Sequence, residues 1–164
     1  MTHYLDEAVK DVKLHREEII NRLVQFSETD LLLFWGTDKE LVSRQEEVWS
    51  PIIRWANEAI QAEFKHTKTL DVLEEAKTSA YRLKVFLDSL SDKELAAFYS
   101  AALNMKSVLL AMAMVKGRIN AEEAFQAAFL DELWQNEKWG SDEEAVKRRT
   151  VIRNELSDIE AFLK

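Results

Sequence analysis

Cysteine is absent from this 164-residue chain, and glycine and proline are scarce, with three and one respectively. Without cysteine the protein has no disulfide and no thiolate ligand for a metal. Turns in β-rich proteins use glycine and proline heavily, so their scarcity favours long helices joined by short connections. No apolar run approaches the roughly 20 residues that a membrane-spanning helix requires. We therefore predict an all-α protein without membrane insertion.

Basic residues are outnumbered, since 22 Lys and Arg face 30 Asp and Glu, a formal net charge of −8. Nucleic acids and anionic lipids are polyanions, so this charge disfavours both as general partners. The basic run Lys147-Arg148-Arg149, with Arg153, lacks interleaved aromatic residues and is interpreted as a solvated helix face. We expect no nucleic-acid partner.

Apolar residues recur at three- and four-residue spacing through most of the chain, which is the period of amphipathic helices. The stretch 107–115 is apolar on every side and predicts a helix at the centre of a bundle. We predict a single domain, 1–164, folded as an irregular or orthogonal bundle of six to seven helices. Two stretches that interrupt the helical period, near 31–36 and 62–67, leave open one short two-stranded patch.

Capping signatures predict several helix starts, because a short polar side chain followed three residues later by glutamate satisfies free backbone N–H groups. They occur at Thr37-Asp38-Lys39-Glu40, Ser91-Asp92-Lys93-Glu94, Asn120-Ala121-Glu122-Glu123 and Ser141-Asp142-Glu143-Glu144. One helix is predicted from Ser91 to about Val115, and another from Asn120 through the tryptophan-rich segment that follows. Pro51 is expected either to kink the helix around it or to begin a new one.

Metal-binding and catalytic signatures are weak in this sequence. A di-metal carboxylate bundle uses paired Glu-x-x-His motifs, and the chain has a single such spacing, Glu63 to His66. The other histidines, His3 and His15, lie far from it in sequence. We predict no catalytic residue, no metal and no cofactor. A helical metal- or ligand-binding bundle of unassigned function is kept as the alternative.

The segment from Asn120 to Glu144 contains eight carboxylate residues and one lysine, a net charge of −7, together with Trp134 and Trp139. One interpretation is a solvated acidic face whose tryptophans pack in or beside the core. The other is a docking surface, in which tryptophan supplies contact area and carboxylates select a basic partner. The residues alone leave both interpretations open.

A second unusual cluster lies between Val42 and Trp55. A plain amphipathic helix does not require its Arg44, Trp49 or Pro51. The simplest interpretation is a kinked core helix in which the tryptophans are buried and an arginine pairs with a carboxylate.

Together the two clusters resemble a known family, and four stretches carry the resemblance. They are Glu28-Thr29-Asp30-Leu31-Leu32; Leu41-Val42-x-Arg44-Gln45 leading to Trp49-x-Pro51-Ile52-Ile53-x-Trp55; Gly117-Arg118-Ile119-x-Ala121-Glu122-Glu123-Ala124; and Glu132-x-Trp134-Gln135-x-Glu137-x-Trp139-Gly140-x-Asp142-Glu143-Glu144. In order and spacing they are similar to the Atp-twelve family, the assembly chaperones of ATP synthase that bind the alpha subunit of its F-one sector. The match runs through most of the chain.

The resemblance implies a chaperone rather than an enzyme, which holds the free alpha subunit until it meets its beta partner. It implies partner contacts at Glu132 and Glu137 above all. The further residues it implies are Asp131, Trp134 and Trp139 as supports, and Arg44, Gln45 and Trp49 as a structural signature or secondary contact.

Members of the family usually carry an N-terminal β-rich domain ahead of the helical part. The resemblance therefore implies that this chain corresponds to the C-terminal helical domain, and we expect it to be a monomer. The family works where the F-one sector assembles, so we expect the bacterial cytoplasm, with the mitochondrial matrix as the alternative.

Overall fold

A computed structural model describes residues 3–65 and 73–164, and these residues form an all-α bundle without strands. This confirms the predicted fold class, although the described residues contain eight α-helices rather than six or seven. The helices are α1 (His3–Phe26), α2 (Lys39–Ile60), α3 (Leu73–Asp88), α4 (Asp92–Met105), α5 (Val108–Val115), α6 (Ala121–Ala128), α7 (Leu130–Trp139) and α8 (Glu143–Leu163). Two single-turn 3-10 helices, Ser27–Thr29 and Leu31–Leu33, follow α1.

Helix α5 lies at the centre of the bundle, as its apolar sequence predicts. Its residues 108–114 are all buried, and α2, α4, α6 and α8 pack around it. Helix α1 packs along α4 and is interrupted by a kink at His15, where the backbone is not helical. Helix α2 continues through Pro51, so the proline does not begin a new helix.

The predicted helix from 91 to 115 is two helices, α4 and α5, and this break is one reason for the larger helix count. Lys106 adopts a left-handed conformation (φ 57°) at the end of α4. The side chain of Ser107 then accepts a hydrogen bond from Leu110 N and begins α5. The second reason is Phe129 (φ −107°, ψ 17°), which separates α6 from α7 where one helix was predicted.

The buried carboxylate of Asp30 stabilises the break between α4 and α5. Its Oδ1 accepts hydrogen bonds from Leu32 N at 3.0 Å and Ser107 Oγ at 2.7 Å, and its Oδ2 accepts one from Leu109 N at 2.9 Å. Burial raises the pKa of Asp30 to about 6, against the lowering effect of these hydrogen bonds. One side chain therefore caps a 3-10 turn and the central helix together.

Two of the predicted capping boxes are confirmed, at Ser91 with Glu94 and at Asn120 with Glu123. The other two starts are displaced by one residue, because Asp38 rather than Thr37 caps α2 and Asp142 caps α8. An aspartate carboxylate accepts hydrogen bonds from helix N–H groups as well as a hydroxyl does, so either neighbour satisfies the same rule.

The two-stranded patch does not form among the described residues. Residues 31–33 form a 3-10 turn, and the backbone of the second stretch is satisfied by side chains instead of a partner strand. Asn57 bonds both the N–H and the carbonyl of Phe64, at 2.8 and 2.9 Å, while Ser79 Oγ accepts from Glu63 N. Residues 66 and 67 of the predicted patch lie outside the described residues, as does His66 of the single Glu-x-x-His spacing.

Candidate functional site

Helix α7 carries three of the eight carboxylate residues of the segment 120–144, namely Asp131, Glu132 and Glu137, and it packs against α2 and α6. It ends at Gly140, whose φ of 82° is rarely adopted by residues with a side chain. The chain then turns into α8. The side chains of α7 divide into an inner set, which joins it to its neighbours, and an outer set that faces solvent.

Gln45 is the inner residue that joins α2 to α7. Its side chain is fully buried, donates from Nε2 to Asp131 Oδ1 at 2.8 Å, and accepts from Gly36 N at 3.0 Å. Burial raises the pKa of Asp131, and the hydrogen bond from Gln45 opposes this rise. A side chain at Gly36 would come within 2.8 Å of Leu41 Cδ2. Gln45 and Asp131 therefore hold helices together rather than offer a free surface.

Trp49 performs a similar role one turn further along α2. It is completely buried, and its Nε1 donates to Ala127 O, near the end of α6, at 2.9 Å. A buried indole N–H normally finds such an acceptor. Neither Trp49 nor Gln45 is accessible to a partner in this conformation.

Glu132 joins α7 to α8. Its Oε1 accepts from Arg148 Nη2 and from Arg149 Nη1, both at 2.7 Å. With its amide oriented to satisfy both neighbours, Asn136 accepts from Arg149 Nη2 at 2.6 Å and donates to Gly140 O. Arg149 is only 6% exposed. The interpretation of this basic run as a solvated face is therefore wrong for Arg149, whose charge is compensated between two helices.

Sequence reasoning missed Arg149 because nothing in its local pattern distinguishes it from exposed neighbours. One feature of the sequence could have indicated this pairing. Three consecutive basic residues, Lys147-Arg148-Arg149, follow shortly after the most acidic segment, which favours ion pairs between α8 and α7. Arg153, one turn further along α8, pairs with Glu122 of α6.

Two residues of the outer set, Glu137 and Lys138, form the α2–α7 ion-pair cluster together with Glu40 and Arg44 of α2, and Trp139 is the third outer residue. Arg44 contacts Glu137 Oε2 at 3.0 Å and Glu40 Oε1 at 3.4 Å, while Lys138 Nζ lies 2.9 Å from Glu40 Oε2. The hydrogen bond from Lys138 lowers the pKa of Glu40, and the pKa of Lys138 is raised in turn. These side chains are 39% to 56% exposed, so the pairs are worth little stability and exchange readily.

Two tryptophans adjoin this cluster in different environments. Trp134 is 5% exposed, whereas Trp139 is 75% exposed, and their rings meet edge to face with centroids 5.9 Å apart. Lys138 Nζ lies 5.8 Å from the Trp134 ring centroid. The buried Nε1 of Trp134 finds no acceptor in hydrogen-bond geometry within residues 3–65 and 73–164, although this N–H contributes to the lowered pKa of Glu40.

Ion pairing makes the surface less acidic than the sequence indicates. Three carboxylates of the segment 120–144 pair with four arginines from α2 and α8, namely Arg44, Arg148, Arg149 and Arg153. Counting these arginines changes the local net charge from −7 to −3. Of the residues that the resemblance implies, Glu137 and Trp139 face solvent most, Arg44 and Glu132 are intermediate, and the rest are half-buried or buried.

Within the parts of the chain that the structure describes, no group of three or more His, Asp or Glu side chains is arranged to hold a metal ion. None of the described helices is long and apolar enough to cross a membrane. Two open grooves of about 380 and 500 Å³ lie along α8 and the start of α6, and both are lined by Asn120 and Glu160.

Comparison with known proteins adds independent information. A family model described as ATP12 chaperone protein matches residues 1–57. The mitochondrial protein atp12 of Schizosaccharomyces pombe is 25% identical over 140 residues, which are 81% of this chain and 48% of the relative. The chain thus spans about half the length of that curated relative.

Solved structures resemble this chain along nearly its whole length. The crystal structure of Atp12 from Paracoccus denitrificans has a TM-score of 0.87 and 28% identity, and covers 95% of this chain and 67% of its own. A point mutant of the P. denitrificans protein has a TM-score of 0.88 and 27% identity, with the same coverage of both chains. The sequence and structure comparisons therefore both point to proteins named Atp12.

Proposed function

We propose that this chain is a member of the ATP12 chaperone family, an assembly chaperone of ATP synthase that binds the unassembled alpha subunit of the F-one sector. The observation that carries the proposal is the similarity to P. denitrificans Atp12 in both fold and sequence over 95% of the chain. The relatives include a bacterial and a mitochondrial protein. We propose the bacterial cytoplasm as the compartment, with the mitochondrial matrix as the alternative.

The mechanism is one of binding rather than of chemistry. A subunit that awaits assembly exposes the surface it later buries against its neighbours, and large exposed apolar patches aggregate. A protein that binds only this free form lowers its concentration by mass action and is released when the proper neighbour competes. Such a role needs a surface with moderate affinity and fast exchange, and it needs no catalytic residue.

The outer set of α7 meets this requirement. Trp139 presents a large aromatic surface to solvent, and aromatic side chains of this kind dominate binding energy in protein interfaces. Glu137 precedes it by two residues and is 56% exposed. We assign client contact to Trp139 and Glu137, with Arg44 as their neighbour on α2.

Four of the five remaining residues that the resemblance implies act by position, and the fifth, Trp134, is buried and packs edge to face against Trp139. Gln45, Asp131, Trp49 and Glu132 hold α7 against α2, α6 and α8 through the hydrogen bonds and ion pairs described above. A substitution at any of them changes binding through the placement of α7. This division predicts that only the outer residues lower client affinity without lowering stability.

The test measures binding to separately expressed alpha and beta subunits encoded in the same genome. We expect retention of alpha but not beta, and stoichiometric, salt-sensitive suppression of alpha aggregation followed by light scattering. Unchanged alpha aggregation and no retention would refute the proposed function.

Variants then test the site. Trp139→Ala should lower alpha affinity by roughly 30-fold, which corresponds to a hot spot of about 2 kcal/mol, and Glu137→Lys should lower it by introducing repulsion for a basic client. Glu58→Lys is the matched control, because Glu58 is exposed on the same helix as Glu40 and lies about 27 Å along it. Equal losses in Glu58→Lys and Glu137→Lys would show a general charge effect instead of a site.

A further inference from the structure

Lys138 contacts two groups that commonly bind a cation, the carboxylate of Glu40 and the aromatic ring of Trp134. Its ammonium lies 2.9 Å from a carboxylate oxygen of Glu40 and 5.8 Å from the ring centroid of Trp134. A carboxylate beside an aromatic face is a favourable setting for lysine or arginine from any source. In the free chain this setting is filled by a lysine from the chain itself.

The arrangement leaves one buried hydrogen-bond donor unsatisfied. Both oxygens of Glu40 contact cations, Oε1 with Arg44 at 3.4 Å and Oε2 with Lys138 at 2.9 Å. The neighbouring Trp134 Nε1 is buried and has no acceptor in hydrogen-bond geometry among the described residues. A buried donor without a well-placed acceptor is unfavourable. The indole N–H already acts on Glu40 by lowering its pKa, so the loss of one competing cation would let a Glu40 oxygen accept from the indole in better geometry.

We propose that Lys138 is an internal competitor for the client, and that a basic side chain of the client displaces it from Glu40 when α7 binds. This inference rests on the proposed function and specifies the chemistry of the partner segment, which carries an arginine flanked by apolar residues. The guanidinium bridges Glu40 and Glu137 in place of Lys138 and Arg44, and its apolar neighbours cover Trp139.

Charge and geometry favour arginine over an acidic or purely apolar occupant. Glu40 and Glu137 are already bridged by the guanidinium of Arg44, so their spacing suits a planar group with several donors. Exchange is easy because the four side chains of the α2–α7 ion-pair cluster are 39% to 56% exposed and such pairs contribute little stability. An acidic segment would meet two carboxylates that it cannot compensate.

The experiment is a double-mutant cycle on affinity for the alpha subunit. Lys138→Met keeps an apolar stem against Trp134 and removes the competing charge, so we expect alpha to bind about two- to fivefold more tightly. Glu40→Gln removes the carboxylate for which Lys138 and the arginine of the client compete, so this variant should bind alpha more weakly. In the Glu40→Gln background, Lys138→Met should give no further gain.

Lys13→Met, on the exposed face of α1, is the control for net charge. Far-UV circular dichroism and urea midpoints verify that each variant is folded. Weaker or unchanged binding by Lys138→Met overturns the inference, as does an equal gain in Lys13→Met or in the Glu40→Gln background. If the unmodified chain does not bind alpha, both the proposed function and this inference are overturned. If the unmodified chain binds alpha normally and Lys138→Met has no effect, only this inference is overturned.

Discussion

Asp30 makes the stability of this protein depend on pH in a direction opposite to that of an ordinary surface carboxylate. Its carboxyl group is fully buried, and its pKa rises from 3.8 to about 6 on folding. The native state therefore retains the Asp30 proton at a pH where the unfolded chain has lost it. The contribution of this group to stability is complete below about pH 4 and is lost as the pH rises through about 6.

The size of this effect follows from the shift in pKa. A change of roughly two units corresponds to about 3 kcal/mol of unfolding free energy between pH 4 and pH 7. Asp30→Asn removes the titration but keeps the shape of the side chain. Three donors point at the carboxylate of Asp30, whereas the asparagine amide has only one acceptor oxygen. We therefore expect a further loss of about 1–3 kcal/mol in unfolding free energy, which does not vary with pH.

Urea unfolding followed by circular dichroism at half-unit steps from pH 4 to 7.5 measures both quantities. We expect wild type to lose about 3 kcal/mol relative to Asp30→Asn across this range, because only wild type titrates there. Asp38→Asn is the control, since Asp38 caps α2 at an exposed position where asparagine caps equally well. If the unfolding free energies of wild type and Asp30→Asn change in parallel with pH, the reasoning is refuted.

Two further predictions concern the inner set of α7. Gly36→Ala should destabilise the protein by about 1–3 kcal/mol in urea unfolding, because the added carbon comes within 2.8 Å of the buried Leu41 side chain. A midpoint equal to that of wild type would contradict this packing. Glu132→Gln leaves the buried charge of Arg149 uncompensated and should cost about 2 kcal/mol, whereas Glu137→Gln breaks an exposed pair and should cost less than about 1 kcal/mol. Equal costs in these two variants would contradict the division into inner and outer residues.

Local sequence signals predicted those parts of the fold that depend on local chemistry. The helix starts at Ser91 and Asn120 were predicted because each capping box satisfies its own backbone donors. The central position of α5 was predicted because a helix that is apolar on every side has no solvent-facing surface. The break before α5 was not predicted from the sequence. Lys106 adopts its left-handed conformation beside Ser107 and Leu109, which donate hydrogen bonds to Asp30, a residue far away in sequence.

The candidate site shows the same limit more sharply. Glu132 and Glu137 look alike in sequence, and both are implied by the resemblance as principal contacts. Packing separates them, because Glu132 pairs with the buried Arg149 while Glu137 pairs with Arg44, whose side chain is partly exposed. Trp134 and Trp139 are separated in the same way, as one is buried and the other faces solvent.

The sequence by itself determined the all-α class, most of the helix positions, the central helix and the resemblance to a known family, since these depend on composition, periodicity and the order of motifs along the chain. Tertiary structure alone decided where the long helices divide, which arginine is buried, and which of the paired carboxylates and tryptophans are exposed to solvent. The physical reason is that burial and ion pairing depend on neighbours distant in sequence, whose identity the chain specifies only by folding.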